Sequence, residues 1–141
     1  MALQPMYVAS ATVTSGREGF GETSDGNVKA TFNLQKELGG NPKPGSTNPE
    51  QLFALGYASC FGQAVRVVGG QQHIPIKDVT VRSEVTLGKT DSGGFGLAVK
   101  LGVQLPGVER EQAEKIVHAA HQICPYSSAT RGNIDVQIGV E

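Results

Sequence analysis

Tryptophan is absent from this 141-residue chain, and aromatic residues make up only 6% of it. Little is therefore available for base-stacking surfaces. Neither sign of charge dominates: 12 Lys and Arg stand against 13 Asp and Glu, for a net charge of −1. The broad basic face that nucleic acid requires is missing. No uninterrupted apolar run reaches membrane-spanning length. Met1-Ala2-Leu3-Gln4-Pro5-Met6 has no basic segment followed by an apolar core, the pattern of a signal peptide. These absences point to a soluble, cytoplasmic protein with neither nucleic acid nor membrane as a partner. Cysteine is almost absent too, at two residues, Cys60 and Cys124. In a reducing compartment such a pair is more readily free, catalytic or metal-bound than a structural disulfide. The chain is long enough for one cored domain, residues 1–141.

What is present begins with strands. Residues 6–14 are rich in β-branched side chains, and Val28, Ala30, Phe32 and Leu34 alternate with polar residues over 27–35. Between these strands lie a glycine-rich turn carrying Arg17 and a hairpin signal at Asp25-Gly26. Asn48-Pro49-Glu50 then opens a helix: Asn suits the N-cap, Pro the first position, and Glu the positive end of the dipole. It is expected to run to about Val68, where Gly69-Gly70 stops it. Apolar residues cover most of its circumference, so it must be buried on both sides, which hints at a second subunit. Alternation over 78–88 and 95–105 reads as a long hairpin around Asp91-Ser92-Gly93-Gly94. An acidic first turn at Glu109 opens a second helix, which Pro125 ends right after Cys124. A strand over 132–140 closes the chain. The order β-β-β-α-β-β-α-β predicts an α+β fold, mostly antiparallel, around the buried central helix.

Cys60 lies about ten residues into the first helix, beyond help from the N-terminal dipole. Burial in apolar surroundings raises a thiol's pKa, so a reactive Cys60 needs a cation from elsewhere. Arg17, in its glycine-flanked turn, is the best candidate. The alternatives are an inert packed thiol and a solvated loop arginine. Cys124, at a helix C-terminus, is expected to stay a neutral thiol, which suits a resolving role or simple packing. Glu50 is either a favourable first-turn residue or a partner that orients Arg17. His121, Cys124 and Cys60 could form an N/S metal site, but without a CxxC pair that signal is weak. His121 also reads as a helix-end histidine favoured by the dipole, and His73 and His118 as surface residues.

Two segments carry more than composition. Thr47-Asn48-Pro49-Glu50-Gln51-Leu52-Phe53-Ala54-Leu55-Gly56-Tyr57-Ala58-Ser59-Cys60-Phe61 and Ala120-His121-Gln122-Ile123-Cys124-Pro125-Tyr126-Ser127-Ser128-Ala129-Thr130-Arg131-Gly132-Asn133-Ile134-Asp135-Val136 closely resemble the two signature segments of the organic hydroperoxide resistance (Ohr) proteins. These form a branch of the OsmC-like superfamily. Gly16-Arg17-Glu18-Gly19 resembles that family's arginine turn. Ser15, where many relatives have glycine, Leu55 and Ala58-Ser59 depart mildly from the pattern.

The resemblance implies an intertwined homodimer and a thiol peroxidase acting on organic hydroperoxides, with no metal or organic cofactor. It implies that Cys60 is the peroxidatic thiol and Cys124 the resolving thiol. It further implies that Arg17 activates the thiolate, that Glu50 orients Arg17, and that a dithiol such as a protein lipoyl group restores the enzyme. Apolar neighbours such as Phe53 and Phe61 would favour alkyl and lipid hydroperoxides over H2O2. A non-catalytic carrier and a zinc-bound redox sensor are the competing readings.

Overall fold

The computed structural model describes residues 2–141. The chain divides into two compact units, Met1–Pro49 and Glu50–Glu141.

The first unit is a three-stranded antiparallel sheet of β1 (Ala11–Thr14), β2 (Phe20–Thr23) and β3 (Lys29–Thr31), in that order. The strands are shorter than the alternation suggests, because residues 6–10 are exposed and outside any strand. Asp25 makes the expected β2–β3 turn. Its carboxylate accepts hydrogen bonds from Thr23 Oγ1 (2.7 Å) and from the Asn27 backbone N–H (2.9 Å). The Asn27 bond, followed by the Thr23 bond, holds the Asp25 pKa below its ordinary value. The β1–β2 turn enters the left-handed region at Ser15 (φ 68°) and Gly16 (φ 55°), then closes as a 3-10 turn over Gly16–Glu18. Glu18 fastens that turn to the segment after β3 by accepting the Leu34 N–H at 3.0 Å.

The second unit opens with α1 (Pro49–Gln71), a 23-residue helix. Its buried residues, Tyr57, Phe61, Ala64, Val65, Val68 and Gly69, recur at steps of three and four and form one stripe. Within one chain, then, α1 is not buried all round. Leu55 remains 69% exposed and Val67 40%. By length and composition alone α1 could also cross a membrane, at a mean hydropathy of 1.2. Gly69 and Gly70 do not stop the helix, which continues to Gln71. Gly69 is there for close approach: a Cβ on it would lie 2.4 Å from Ile76 Cγ1. The break comes at His73, whose φ of 57° is left-handed.

A second three-stranded sheet holds β4 (Thr80–Lys89), β5 (Phe95–Gln104) and β6 (Asp135–Val140). β4 and β5 are the expected hairpin, paired from Thr80↔Gln104 to Lys89↔Phe95. β6 departs from the antiparallel expectation, since it runs parallel to β5 from Ala98↔Asp135 to Val103↔Val140. The chain between them crosses over through α2 (Arg110–Ile123) and α3 (Pro125–Thr130), as parallel neighbours require. One core joins the α1 stripe to Val99, Leu101 and Val103 of β5 and to Ala113, Ile116, Val117 and Ala120 of α2. Truncating a filled position such as Phe61 to Ala would cost about 3–5 kcal/mol.

Candidate active site

Both cysteines lie in the second unit, and the fold brings them together. Cys60, half-buried on α1, places its Sγ 3.6 Å from that of Cys124, which is wholly buried. Both are free thiols. Two sulfurs at that separation touch without bonding. A disulfide requires about 2.05 Å, so a closing movement of roughly 1.5 Å would join them.

The surroundings of Cys124 differ from the sequence expectation. Pro125 does end α2, but it also occupies the first position of α3. Cys124 is the joint between the two helices, extended at φ −67° and ψ 126°. Its N–H bonds the Ala120 carbonyl of α2 (2.9 Å), and its own carbonyl accepts the Ser128 N–H of α3 (2.9 Å). The residue therefore meets the negative end of one helix dipole and the positive end of another, so the argument from α2 alone fails.

Burial pushes the Cys60 thiol above its ordinary pKa of 9.0. A hydrogen bond from the Tyr126 backbone works the other way, and the neighbouring Cys124 thiol adds to the rise. Left to these influences, Cys60 stays protonated at neutral pH and unreactive as a nucleophile. Aromatic rings crowd the same end of α1. Phe53 lies 6.1 Å from both Tyr57 and Tyr126 by ring centroids, and Tyr57 lies 5.7 Å from Tyr126. The cluster lies one to two turns before Cys60 on α1, and Tyr126 adjoins the thiol through its backbone.

Sequence reasoning missed a buried polar chain next to the thiols. Tyr57 Oη lies 2.8 Å from Ser127 Oγ and 3.1 Å from Thr130 Oγ1. Ser127 Oγ lies 2.8 Å from His121 Nδ1. Ser127 and Thr130, hydroxyl-bearing and spaced three apart after Cys124, were the available signal. Burial lowers the His121 pKa from its ordinary 6.5, and the charges of Arg131 and His118 lower it further. His121 thus turns toward Ser127. Among the described residues no three His, Cys, Asp or Glu side chains cluster as a metal site requires.

The other two candidates sit elsewhere along the chain. Arg17 belongs to the first unit, half-buried in its turn, with Nη1 donating to Gln35 Oε1 at 3.3 Å. Glu50, also half-buried, is the acidic residue of the first turn of α1.

The sequence profile of the OsmC-like proteins matches residues 40–139. The organic hydroperoxide resistance protein of Xanthomonas axonopodis pv. citri is 46% identical over 134 residues, covering 94% of this chain and 93% of that one. The organic hydroperoxide resistance protein OhrB of Bacillus subtilis is 42% identical over 134 residues, covering 94% and 96%. Among solved structures, an organic hydroperoxide resistance protein from Legionella pneumophila superposes with a TM-score of 0.92 at 45% identity, covering 98% of this chain and 99% of that one. The chain belongs to the OsmC-like family, on its organic hydroperoxide resistance branch.

Proposed function

We propose that this protein is a thiol-dependent peroxidase that reduces organic hydroperoxides to alcohols and so counters oxidative stress. The single observation that carries the reading is the 3.6 Å contact between Cys60 and Cys124 in an aromatic-walled setting. The names of the Xanthomonas and Bacillus relatives point to the same substrate class.

The Cys60 thiolate attacks the distal oxygen of ROOH. An S–O bond forms, the O–O bond breaks, and the departing alkoxide takes a proton to leave as ROH. Cys60 becomes a sulfenic acid. Cys124 then attacks the Cys60 sulfur. The S–O bond breaks, the oxygen leaves as water, and a Cys60–Cys124 disulfide forms. An external dithiol, such as a protein lipoyl group, reopens it by exchange.

Burial opposes ionisation of Cys60, so the first step needs a fixed positive charge. Arg17 supplies it, stabilising the thiolate and the charge growing on the leaving oxygen. Glu50 orients Arg17. The working unit is a homodimer, in which a second copy covers Leu55 and Val67, the large apolar side chains that one chain leaves exposed on α1. The reaction takes place in the cytoplasm, where reducing conditions return both thiols.

Steady-state turnover tests the reading. With a dithiol reductant the protein should consume tert-butyl hydroperoxide faster than H2O2, and a monothiol should support little turnover. No consumption of either peroxide would refute it.

A further inference from the structure

The hydrogen bond between Tyr57 and Ser127 stands one helical turn from each cysteine. Tyr57 precedes Cys60 by three residues on α1, where residues three apart share a face. Ser127, on α3, follows by three residues Cys124, the extended residue that caps that helix. The link and the thiol pair therefore form two adjacent ties between the same two segments: Tyr57 to Ser127 at 2.8 Å, and Cys60 to Cys124 at 3.6 Å.

Tyr57 and Ser127 are both 0% exposed. Water cannot replace a bond made there, and the low local dielectric strengthens it. Two further contacts fix the Ser127 end. His121 Nδ1 lies 2.8 Å from its hydroxyl, and Thr130 Oγ1 donates to its carbonyl at 3.2 Å. α3 has only six residues. Tyr126, 39% exposed, adds ring contacts with Phe53 and Tyr57 of α1.

We propose that Tyr57 and Ser127, with His121 and Thr130 fixing Ser127, are positioning residues for the resolving step. Their hydrogen bond holds the Cys124 thiol at striking distance of Cys60 before any disulfide exists. The role assigned to them is positional. They set the geometry of one reaction: Cys60–SOH plus Cys124–SH gives the Cys60–Cys124 disulfide plus water. Displacements of about 1 Å in such an arrangement can cost about 100-fold in rate. The inference rests on the dithiol peroxidase reading.

The test treats reduced wild-type protein, Tyr57→Phe and Ser127→Ala with one equivalent of tert-butyl hydroperoxide in the presence of a sulfenic-acid trap. Mass spectrometry reads the ratio of trapped Cys60 to disulfide. That ratio compares two fates of one intermediate, so a general loss of stability or a slower first step does not move it. In each variant it should rise at least about 10-fold, and the double variant should rise no further than the larger single effect. An unchanged ratio in Tyr57→Phe would overturn the proposal, even if Ser127→Ala failed to fold, because Phe keeps the ring and deletes only the hydroxyl. A second measurement needs no peroxide: equilibration of the Cys60–Cys124 pair with oxidised and reduced dithiothreitol. The variants should favour the dithiol form by about 10-fold relative to wild type. If wild-type protein consumes no peroxide, the peroxidase reading fails. The dithiothreitol equilibrium then still decides whether the hydroxyl pair positions the thiols, and equal equilibria in wild type and Tyr57→Phe would refute that.

Discussion

The Tyr126 hydroxyl occupies space that a side chain on Gly56 would need: a Cβ built there lies 2.9 Å from the phenol oxygen. Gly56 thus lets the phenol end of Tyr126 pack closely against α1, while the Tyr126 backbone hydrogen-bonds Cys60. In Gly56→Ala two effects oppose each other. Ala gains about 1 kcal/mol in a helix interior, and the overlap costs about 1–3 kcal/mol. The phenol is the free end of a partly exposed ring, so the overlap falls at the low end. Stability should change by less than about 1 kcal/mol, and because the phenol gives way and the backbone does not, Cys60 keeps the Tyr126 bond that lowers its pKa. Alkylation of Cys60 against pH should follow the wild-type profile, with little change in Tm. A profile moved to higher pH would show that the phenol and the backbone bond shift together.

Arg17 answers to the same titration. Burial, with a smaller push from the Cys124 thiol, holds the Cys60 pKa above its ordinary value. Removing the proposed cation in Arg17→Ala should expose that raised pKa. The rate of the peroxide step should then climb only at alkaline pH. At neutral pH it should fall by about 100-fold or more, the scale of a lost electrostatic donor. Stopped-flow measurement of the first half-reaction over a pH series checks this. Glu50→Gln should give a smaller loss in the same direction.

His121 predicts how stability depends on pH. Its folded pKa lies below its ordinary 6.5. As pH falls through 6.5 the unfolded chain binds the proton first, so stability is full above that value and declines below it. Glu141, held low by Arg82, acts in the same sense at more acid pH: its contribution is lost as pH falls through its folded value. Denaturant midpoints measured between pH 7 and pH 5 should fall for wild type and stay flatter for His121→Gln. Equal slopes would remove His121 from the account.

The exposed side of α1 bears on assembly. Leu55 and Val67 are 69% and 40% exposed in one chain. Leu55→Glu and Val67→Glu would each bury a charge if a second copy covers that side. Sedimentation should find dimers for wild type and monomers for the double variant. A wild-type monomer at micromolar concentration would exclude the homodimer.

The start of α1 at Pro49 and the β4–β5 hairpin were legible in the sequence, because capping preferences and strict alternation are local signals. Other features were not. The direction of β6 leaves no trace in alternation, which looks the same in parallel and antiparallel strands. α3 spans six residues, too short for a helical period, and Pro125 reads equally as a stop and as a start. The partners of Tyr57 lie 70 and 73 residues away, where no spacing rule reaches. The nearness of Cys60 and Cys124 was also invisible to residue-by-residue reading across 64 positions. Only the two signature segments suggested it. Gly69 misled because a glycine required for packing looks the same as one that ends a helix.

The central claim is that Cys60 attacks the peroxide and Cys124 resolves the product. Cys124→Ser protein, treated with one equivalent of tert-butyl hydroperoxide and a sulfenic-acid trap, tests it most directly. The account predicts that one equivalent is consumed, that the adduct is found on Cys60, and that Cys60→Ser protein consumes none. An unmodified Cys60 with peroxide still consumed, or turnover retained in Cys60→Ser, would contradict it.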